Sequence, residues 1–387
     1  MESEAQAMGI PELLLNKVLF INATLFFALF MLEETAANHL MLSIIFLIIS
    51  LALLIKSADF FIEGAKGLAL RAGLPEVVIG LTIVSIGTSL PEILVTSTAA
   101  YDIPNDPQVA DLAIGGIFGS VLVQISLILG VVVAIQGVKI RPSWLKRDGM
   151  IMLGSIGLLT VFLYTGDVIT RLEGFILASL YCIYVLWLLN HRDEILEEEG
   201  GDFGGEISGS RWSTASYSVM VVIGLILALY AAHYLVIIAS KIAIDLSVPH
   251  AVVGTTVSGL GTSLPELTIA LLAAKRSEGV AIGTLIGSNI TDPLFSIGIA
   301  SMVHPLSLTE ASYGLTMYII IPMTFFSTLA ALFFMRSKYE FAKYEGIILI
   351  FVYVFFLGLL YGEHTQESSM FEVSAWLKKT AKEVSDL

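Results

Sequence analysis

Cysteine is nearly missing from this chain. Cys182 is the only one in 387 residues, which excludes an internal disulfide and any metal centre built on several thiolates. Histidine is also sparse, and His233, His250 and His304 stand apart rather than at the spacing of a zinc site. Charge is thin: 14% of residues are Asp, Glu, Lys or Arg, and 20 bases face 34 acids. The basic surface that nucleic acid requires is lacking. The net charge of -14 collects in loops, including 194–206, and in the tail, so it belongs to solvent-facing segments and does not imply a basic partner. What remains is apolar, 56% of the chain. Runs such as LMLSIIFLIISLALLI from Leu40 approach the roughly 20 residues that a bilayer-spanning helix needs. This is the composition of an all-α, multi-pass membrane protein, and Cys182, inside FILASLYCIYVLWLL, reads as a small buried apolar residue.

Ten core spans are expected, at 41–70, 75–101, 109–136, 149–166, 171–190, 215–246, 249–274, 279–303, 313–335 and 343–362. Pro104, Pro107, Pro142, Pro249 and Pro305 separate most of them. Upstream, NKVLFINATLFFALFML reads as an extra or interfacial helix. Glu2 and Glu4 give the wrong leading charge for a signal peptide.

One hexapeptide occurs twice, at Gly87–Glu92 and at Gly261–Glu266, both reading GTSLPE. Proline removes a backbone donor and crowds the carbonyl four residues earlier, so Pro91 and Pro265 should break their helices and free the carbonyls of Gly87 and Gly261. A glutamate follows each break. Carboxylates and unpaired carbonyls at membrane depth are costly and are expected where they line a cavity or coordinate an ion. Neither hexapeptide helix contains a lysine to pair with the acid.

The duplication is longer than its motif. The 57–92 segment aligns without a gap on 231–266, bringing Pro75 onto Pro249, Gly80 onto Gly254 and Asp59 onto His233. Farther on, GGIFGSVLVQ from Gly115 matches GTLIGSNITD from Gly283. Lys139, Arg141, Lys146 and Arg147 follow the third span, Arg192 and Arg211 the fifth, Lys275 and Arg276 the seventh, and Arg336, Lys338 and Lys343 the ninth, with Arg171 the main exception. By the positive-inside rule those ends are cytoplasmic. Arg71 then precedes the first hexapeptide helix from the inside, whereas Lys275 and Arg276 leave the second toward the inside. The two copies are expected to be antiparallel, an arrangement that secondary transporters use to expose one midplane site alternately.

The paired GTSLPE motifs, the GSN-x-x-D string from Gly287 to Asp292 and the SAD-x-x-x-EGA prelude at Ser57 resemble the sodium/calcium exchangers of the cation/calcium antiporter superfamily. The resemblance covers about 41–362. It implies ten helices as two inverted five-helix repeats, with helices two, three, seven and eight around the ions. Matched position by position, it implies Ca2+ ligands at the Glu92 and Glu266 carboxylates and the Thr88 and Thr262 carbonyls. Na+ ligands would add Ser89, Ser263, Ser120, Ser288, Asp292 and the carbonyls of Ser85 and Gly259. Gln124 departs from the family's usual asparagine by one methylene, which bears on how many Na+ ions fit.

The residues agree on hard-ion chemistry, because Ca2+ takes about six to eight oxygens from carboxylates, carbonyls and water. Mg2+, which prefers a tighter octahedron, stays open. Ser120 and Ser288 lie beside the small-residue strings Gly115–Gly119 and Gly283–Gly287 and divide between helix packing and ligation. His233 could titrate near neutral pH or simply hydrogen-bond within the bundle. The acidic segment before Trp212 lacks the spacing of a calcium-binding loop. The tail FEVSAWLKKTAKEVSDL has apolar residues at helical spacing with lysines between, the pattern of an amphipathic helix lying on the membrane surface or of an ordinary packing helix.

Three classes compete. A channel usually forms its filter on an axis between subunits, whereas both site halves lie here in one chain. An intramembrane enzyme needs an activated nucleophile, and neither Ser89 nor Ser263 has a histidine nearby in sequence. The expected protein is therefore a non-enzymatic antiporter exchanging Na+ for Ca2+, with Ca2+/H+ or other divalent exchange as the alternative. Its expected organisation is an N-terminal extension over 1–40, a first repeat over 41–190, an acidic cytoplasmic linker over 191–214, a second repeat over 215–362 and a tail over 363–387. It needs no cofactor beyond its transported ions, functions as a monomer in the lipid bilayer, and belongs in a prokaryotic plasma membrane.

Overall fold

The computed structural model describes residues 8–36, 40–71, 85–140, 142, 145–191, 194, 212–246, 248–264, 266–267, 270–271, 278–337 and 339–365. Pro75, Gly80, Pro265, Lys275, Arg276 and Lys338, most of the acidic linker and the amphipathic tail lie outside the described residues.

The chain is helical almost throughout. A short α1 (Ile10–Leu14) and α2 (Lys17–Ala36) precede α3 (Leu40–Arg71). Two pieces, α4 (Ser85–Thr88) and α5 (Leu90–Asp102), flank the first hexapeptide bend. Then come α6 (109–136), α7 (145–166), α8 (Arg171–Asn190) and α9 (Thr214–Leu246). They are followed by α10 (250–262), which runs into the second bend, α11 (278–303), α12 (310–336) and α13 (Lys343–Thr365). Among the described residues, seven helices are long and apolar enough to cross a membrane: α3, α6, α7, α8, α9, α12 and α13.

Small residues set the helix seams, because without a hydrophobic drive between helices close backbone approach supplies the attraction. In one layer α3 packs along α9, where Gly224 meets the backbone of Ser57 and Phe61, and Gly64 meets that of Tyr217 and Val221. α2 lies against α3, its buried Asn22 donating to the Lys56 carbonyl over 3.3 Å. In the other layer α6 is central, with every residue from Val109 to Leu122 buried. There Gly119 faces the backbone of Thr255 in α10, and Gly259 faces that of Gly119 and Ser120.

Local features recur at matching positions of the duplicated sequence. Strand β1 (Val138–Lys139) follows α6 and β3 (Leu306–Ser307) follows α11, while β2 (Val168–Ile169) precedes α8 and β4 (Glu340–Phe341) precedes α13. β1 pairs antiparallel with β4, and β2 with β3. The residues just before β2 and β4, Asp167 and Tyr339, both turn the chain with φ near +50° (53° and 52°). Glu173 accepts from the Thr170 amide, and Glu345 likewise from Ala342, closing the first turns of α8 and α13. Gly130 abuts Gly346 between α6 and α13, just as Gly174 abuts Gly298 between α8 and α11. Wide π turns interrupt α6 at Val123–Ile128 and α11 at Asp292–Ser296. In α11 the cause is local, since Pro293 cannot donate to the carbonyl four residues back.

One expectation fails. Cys182 is exposed on α8, on a face shared with Leu172, Phe175, Ile183 and Leu186. An apolar side chain in a membrane helix gains as much from acyl chains as from a protein interior, so hydrophobicity alone does not point it inward.

Candidate functional site

The described residues of the two hexapeptides fold alike. Ser89 leaves the helix at φ -80°, ψ 5°, and Ser263 at φ -83°, ψ 5°. Past each bend the serine carbonyl accepts the amide four residues on, Ile93 to Ser89 and Leu267 to Ser263. Pro91 occupies the first turn of α5, where its missing N–H costs nothing, and Glu92 follows it there, near the positive end of the helix.

Around these bends Thr88, Ser89, Glu92, Ser120, Gln124, Thr262, Ser263, Glu266, Ser288 and Asp292 are all buried. Ser120 on α6 is the hub. Its hydroxyl lies 3.2 Å from Glu92 Oε1, 2.9 Å from Asp292 Oδ2 and 2.9 Å from the Ser263 hydroxyl. Ser263 also reaches Glu92 Oε1 at 3.4 Å and donates to the Gly259 carbonyl at 2.8 Å. The partnership crosses over between the duplicated halves, since Ser120 meets the second bend and its match Ser288 meets Thr88 of the first, Oγ to Oγ1 at 3.4 Å. Thr262 bonds its hydroxyl to the Ser258 carbonyl. Ser85 opens α4, and its side chain lies outside the described residues.

Acceptors outnumber donors here. Among the described residues, both carboxylate oxygens of Glu266, Oε2 of Glu92, Oδ1 of Asp292 and Oε1 of Gln124 are buried and have no hydrogen-bond partner. Glu266 lies within electrostatic reach of both Glu92 and Asp292. Three carboxylates with unmatched lone pairs in an apolar bundle would repel strongly, and a bound cation or a proton offsets that cost. Among the described residues no three His, Cys, Asp or Glu side chains form a compact metal-binding group, so any cation here draws on hydroxyl and carbonyl oxygens as well. That suits hard ions and argues against zinc or copper.

Sequence reasoning missed Thr96 and Ser296. Thr96 donates to the Glu92 carbonyl at 2.8 Å and lies 3.5 Å from the Ser296 carbonyl, tying α5 to the π turn after Asp292. Its position one turn after Glu92 on the same face was the available signal. His233 is remote from the cluster, 3.7 Å from Asp102 and half exposed.

A bundle of apolar helices, two of them bent around buried acids and hydroxyls, is the build of a membrane ion transporter. The family model described as sodium/calcium exchanger protein matches residues 42–190 and 216–362, and the chain belongs to that family of cation/calcium antiporters. It is 30% identical to the sodium/calcium exchanger MaX1 of Methanosarcina acetivorans, over 83% of this chain and 99% of that one. It is 27% identical to the inner membrane protein YrbG of Escherichia coli, over 83% and 98% of the two chains. Among solved structures it is similar to the sodium-calcium exchanger NCX_Mj, at a TM-score of 0.54 and 27% identity, over 82% of this chain and 97% of that one. These archaeal and bacterial relatives and the seven apolar helices identify a multi-pass integral protein of a prokaryotic cell membrane.

Proposed function

We propose that this protein exchanges Na+ for Ca2+ by alternating access at one central acidic site, and that its ten core helices form two inverted five-helix repeats. The observation that carries the reading is the pair of hexapeptides bent alike at Ser89 and Ser263, whose glutamates are buried with oxygens that no donor among the described residues satisfies. Glu92 and Glu266 bind Ca2+ with the Thr88 and Thr262 carbonyls. Ser89, Ser263, Ser120, Ser288 and Asp292, with the carbonyls of Ser85 and Gly259 and the amide of Gln124, extend the site for Na+. The two cargoes compete for overlapping oxygens, so one must leave before the other binds, and that competition couples their fluxes.

The strand pairing supports inversion. α7 carries the chain from the β1 end of the bundle to the β2 end, so β1 and β2 lie on opposite faces. Since β3 pairs with β2 rather than β1, the chain leaves α11 on the face opposite to the one where it leaves α6. Matching helices thus run in opposite senses, which lets the halves exchange conformations and open the site to either side. Both halves of the site belong to one chain, which supports a functional monomer.

The test is Ca2+ uptake into Na+-loaded proteoliposomes. Uptake should require the outward Na+ gradient and collapse when external Na+ equals internal Na+. Uptake driven equally well by a pH gradient and indifferent to Na+ would replace this reading with proton-coupled exchange.

A further inference from the structure

A second polar cluster lies away from the ions. Ser240 on α9 donates its hydroxyl to Asp106 Oδ2 at 2.7 Å, and its oxygen lies 2.8 Å from Nε2 of the buried His250, the first residue of α10. A hydroxyl has one proton and the carboxylate takes it, so the imidazole must be the donor in the other bond. The chain runs from His250 to Ser240 to Asp106. It ties α9, in one layer, to α10 and to the connection between α5 and α6 in the other. Asp106 and Asp111 both lie within electrostatic reach of His250. The seam sits at the β3 end of the bundle, because Thr309, just after β3, donates its amide to Asp111 near the start of α6. Other charged groups on the elements packed there are engaged or exposed: Lys241 pairs with Asp245 at 2.6 Å, His233 lies 3.7 Å from Asp102, and Glu310 opens α12 in an exposed position.

We propose that His250 is a proton-sensitive latch on the outer seam, whose protonation tightens the bridge between the two layers and slows exchange. This rests on the inverted, alternating-access reading above, which puts the β3 end outside. Imidazole and imidazolium both donate through Nε2, so the bridge exists in either state, but a charged donor bonds about twice as strongly. The sign follows. The extra strength is present in acid and is lost as the pH rises and the ring gives up its proton. Rocking one layer against the other has to part this bridge, so the tightened form retards that step. Histidine ordinarily changes charge between about pH 5 and 8. The first half carries Lys66 and Glu76 at the positions matching Ser240 and His250, residue types that do not ordinarily titrate in that range. The switch therefore belongs to one copy of the repeat and answers to one side of the membrane.

The experiment follows Na+-driven 45Ca2+ uptake by the full chain in right-side-out and inside-out membrane vesicles, with the lumen buffered at about pH 7.5 and the medium at about 7.5 or about 5.5. In right-side-out vesicles acid should lower the maximal rate at saturating Ca2+ about five- to tenfold. Proton competition at the buried acids of the ion site would instead raise the Ca2+ needed for half-saturation. His250→Gln keeps an N–H toward Ser240 but does not titrate, so it should transport as the wild type does at the higher pH and lose the acid-induced drop. Ser240→Ala keeps the imidazole but cuts the bridge, and should lose the drop as well. A drop that survives in both variants overturns the latch, as does a wild-type maximal rate indifferent to the pH outside; either result leaves Na+/Ca2+ exchange standing. A drop confined to inside-out vesicles overturns the outer placement, and the inverted topology with it.

Discussion

Two glycines on one helix make a sharp test of how the site is held together. A Cβ on Gly119 would overlap the carbonyl oxygen, Cα and carbonyl carbon of Thr255, all backbone atoms of α10. Backbone cannot rotate aside, so Gly119→Ala must push α6 and α10 apart by about 1 Å to regain ordinary contact distances. Such overpacking costs about 1–3 kcal/mol. The functional penalty is larger, because the 2.9 Å contact between Ser120 and Ser263 spans the same seam, and an error of about 1 Å in a positioned group can cost about 100-fold in rate. Gly116, on the same helix, is the control. Its added Cβ would come no nearer than 3.7 Å to any atom, the Ser258 hydroxyl being first, so Gly116→Ala adds a methyl without displacing the helices. Na+-driven 45Ca2+ uptake and thermal unfolding of the purified protein read both effects. Gly119→Ala should lose transport and melt early while Gly116→Ala retains both. Equal behaviour of the two variants would refute the claim that the α6–α10 seam sets the geometry of the site.

Glu92→Gln and Glu266→Gln should each abolish Ca2+ uptake while eluting as folded protein, because a single carboxylate cannot offset a divalent charge in a dry site; wild-type flux in either would sink the central assignment. Asp111→Ala should destabilise the fold by about 1.5–3 kcal/mol, seen as a lower melting temperature, since its buried carboxylate accepts from the Thr309 amide at 2.8 Å and from the Thr309 hydroxyl. Cysteines introduced at positions 140, 205, 276 and 338 should react with an impermeant thiol reagent only from the cytoplasmic side, and those at 105 and 308 only from outside. The reverse pattern would invert the topology.

Legibility in this sequence follows how many physical meanings a residue can have. A proline followed by a glutamate inside an apolar run has very few, so the two bends and their acids stood out from residue identity alone, as did Ser120, Ser288 and Asp292 through the second duplicated string. An apolar residue has two meanings in a membrane, core or lipid, and for Cys182 the run around it could not separate them. Contacts between the halves were hidden for a further reason. The site is assembled by Ser120 meeting Ser263 and Thr88 meeting Ser288, pairings that cross the duplication, whereas an internal alignment sets Ser120 beside Ser288 and Ser89 beside Ser263. Duplication identifies equivalent residues and does not say which of them touch. Gln124 and Asp292 are equivalent in sequence and yet within 3.3 Å of each other, a contact between matching positions where the two copies carry an amide against an acid. Two carboxylates at that separation would repel each other, and the neutral amide removes that repulsion.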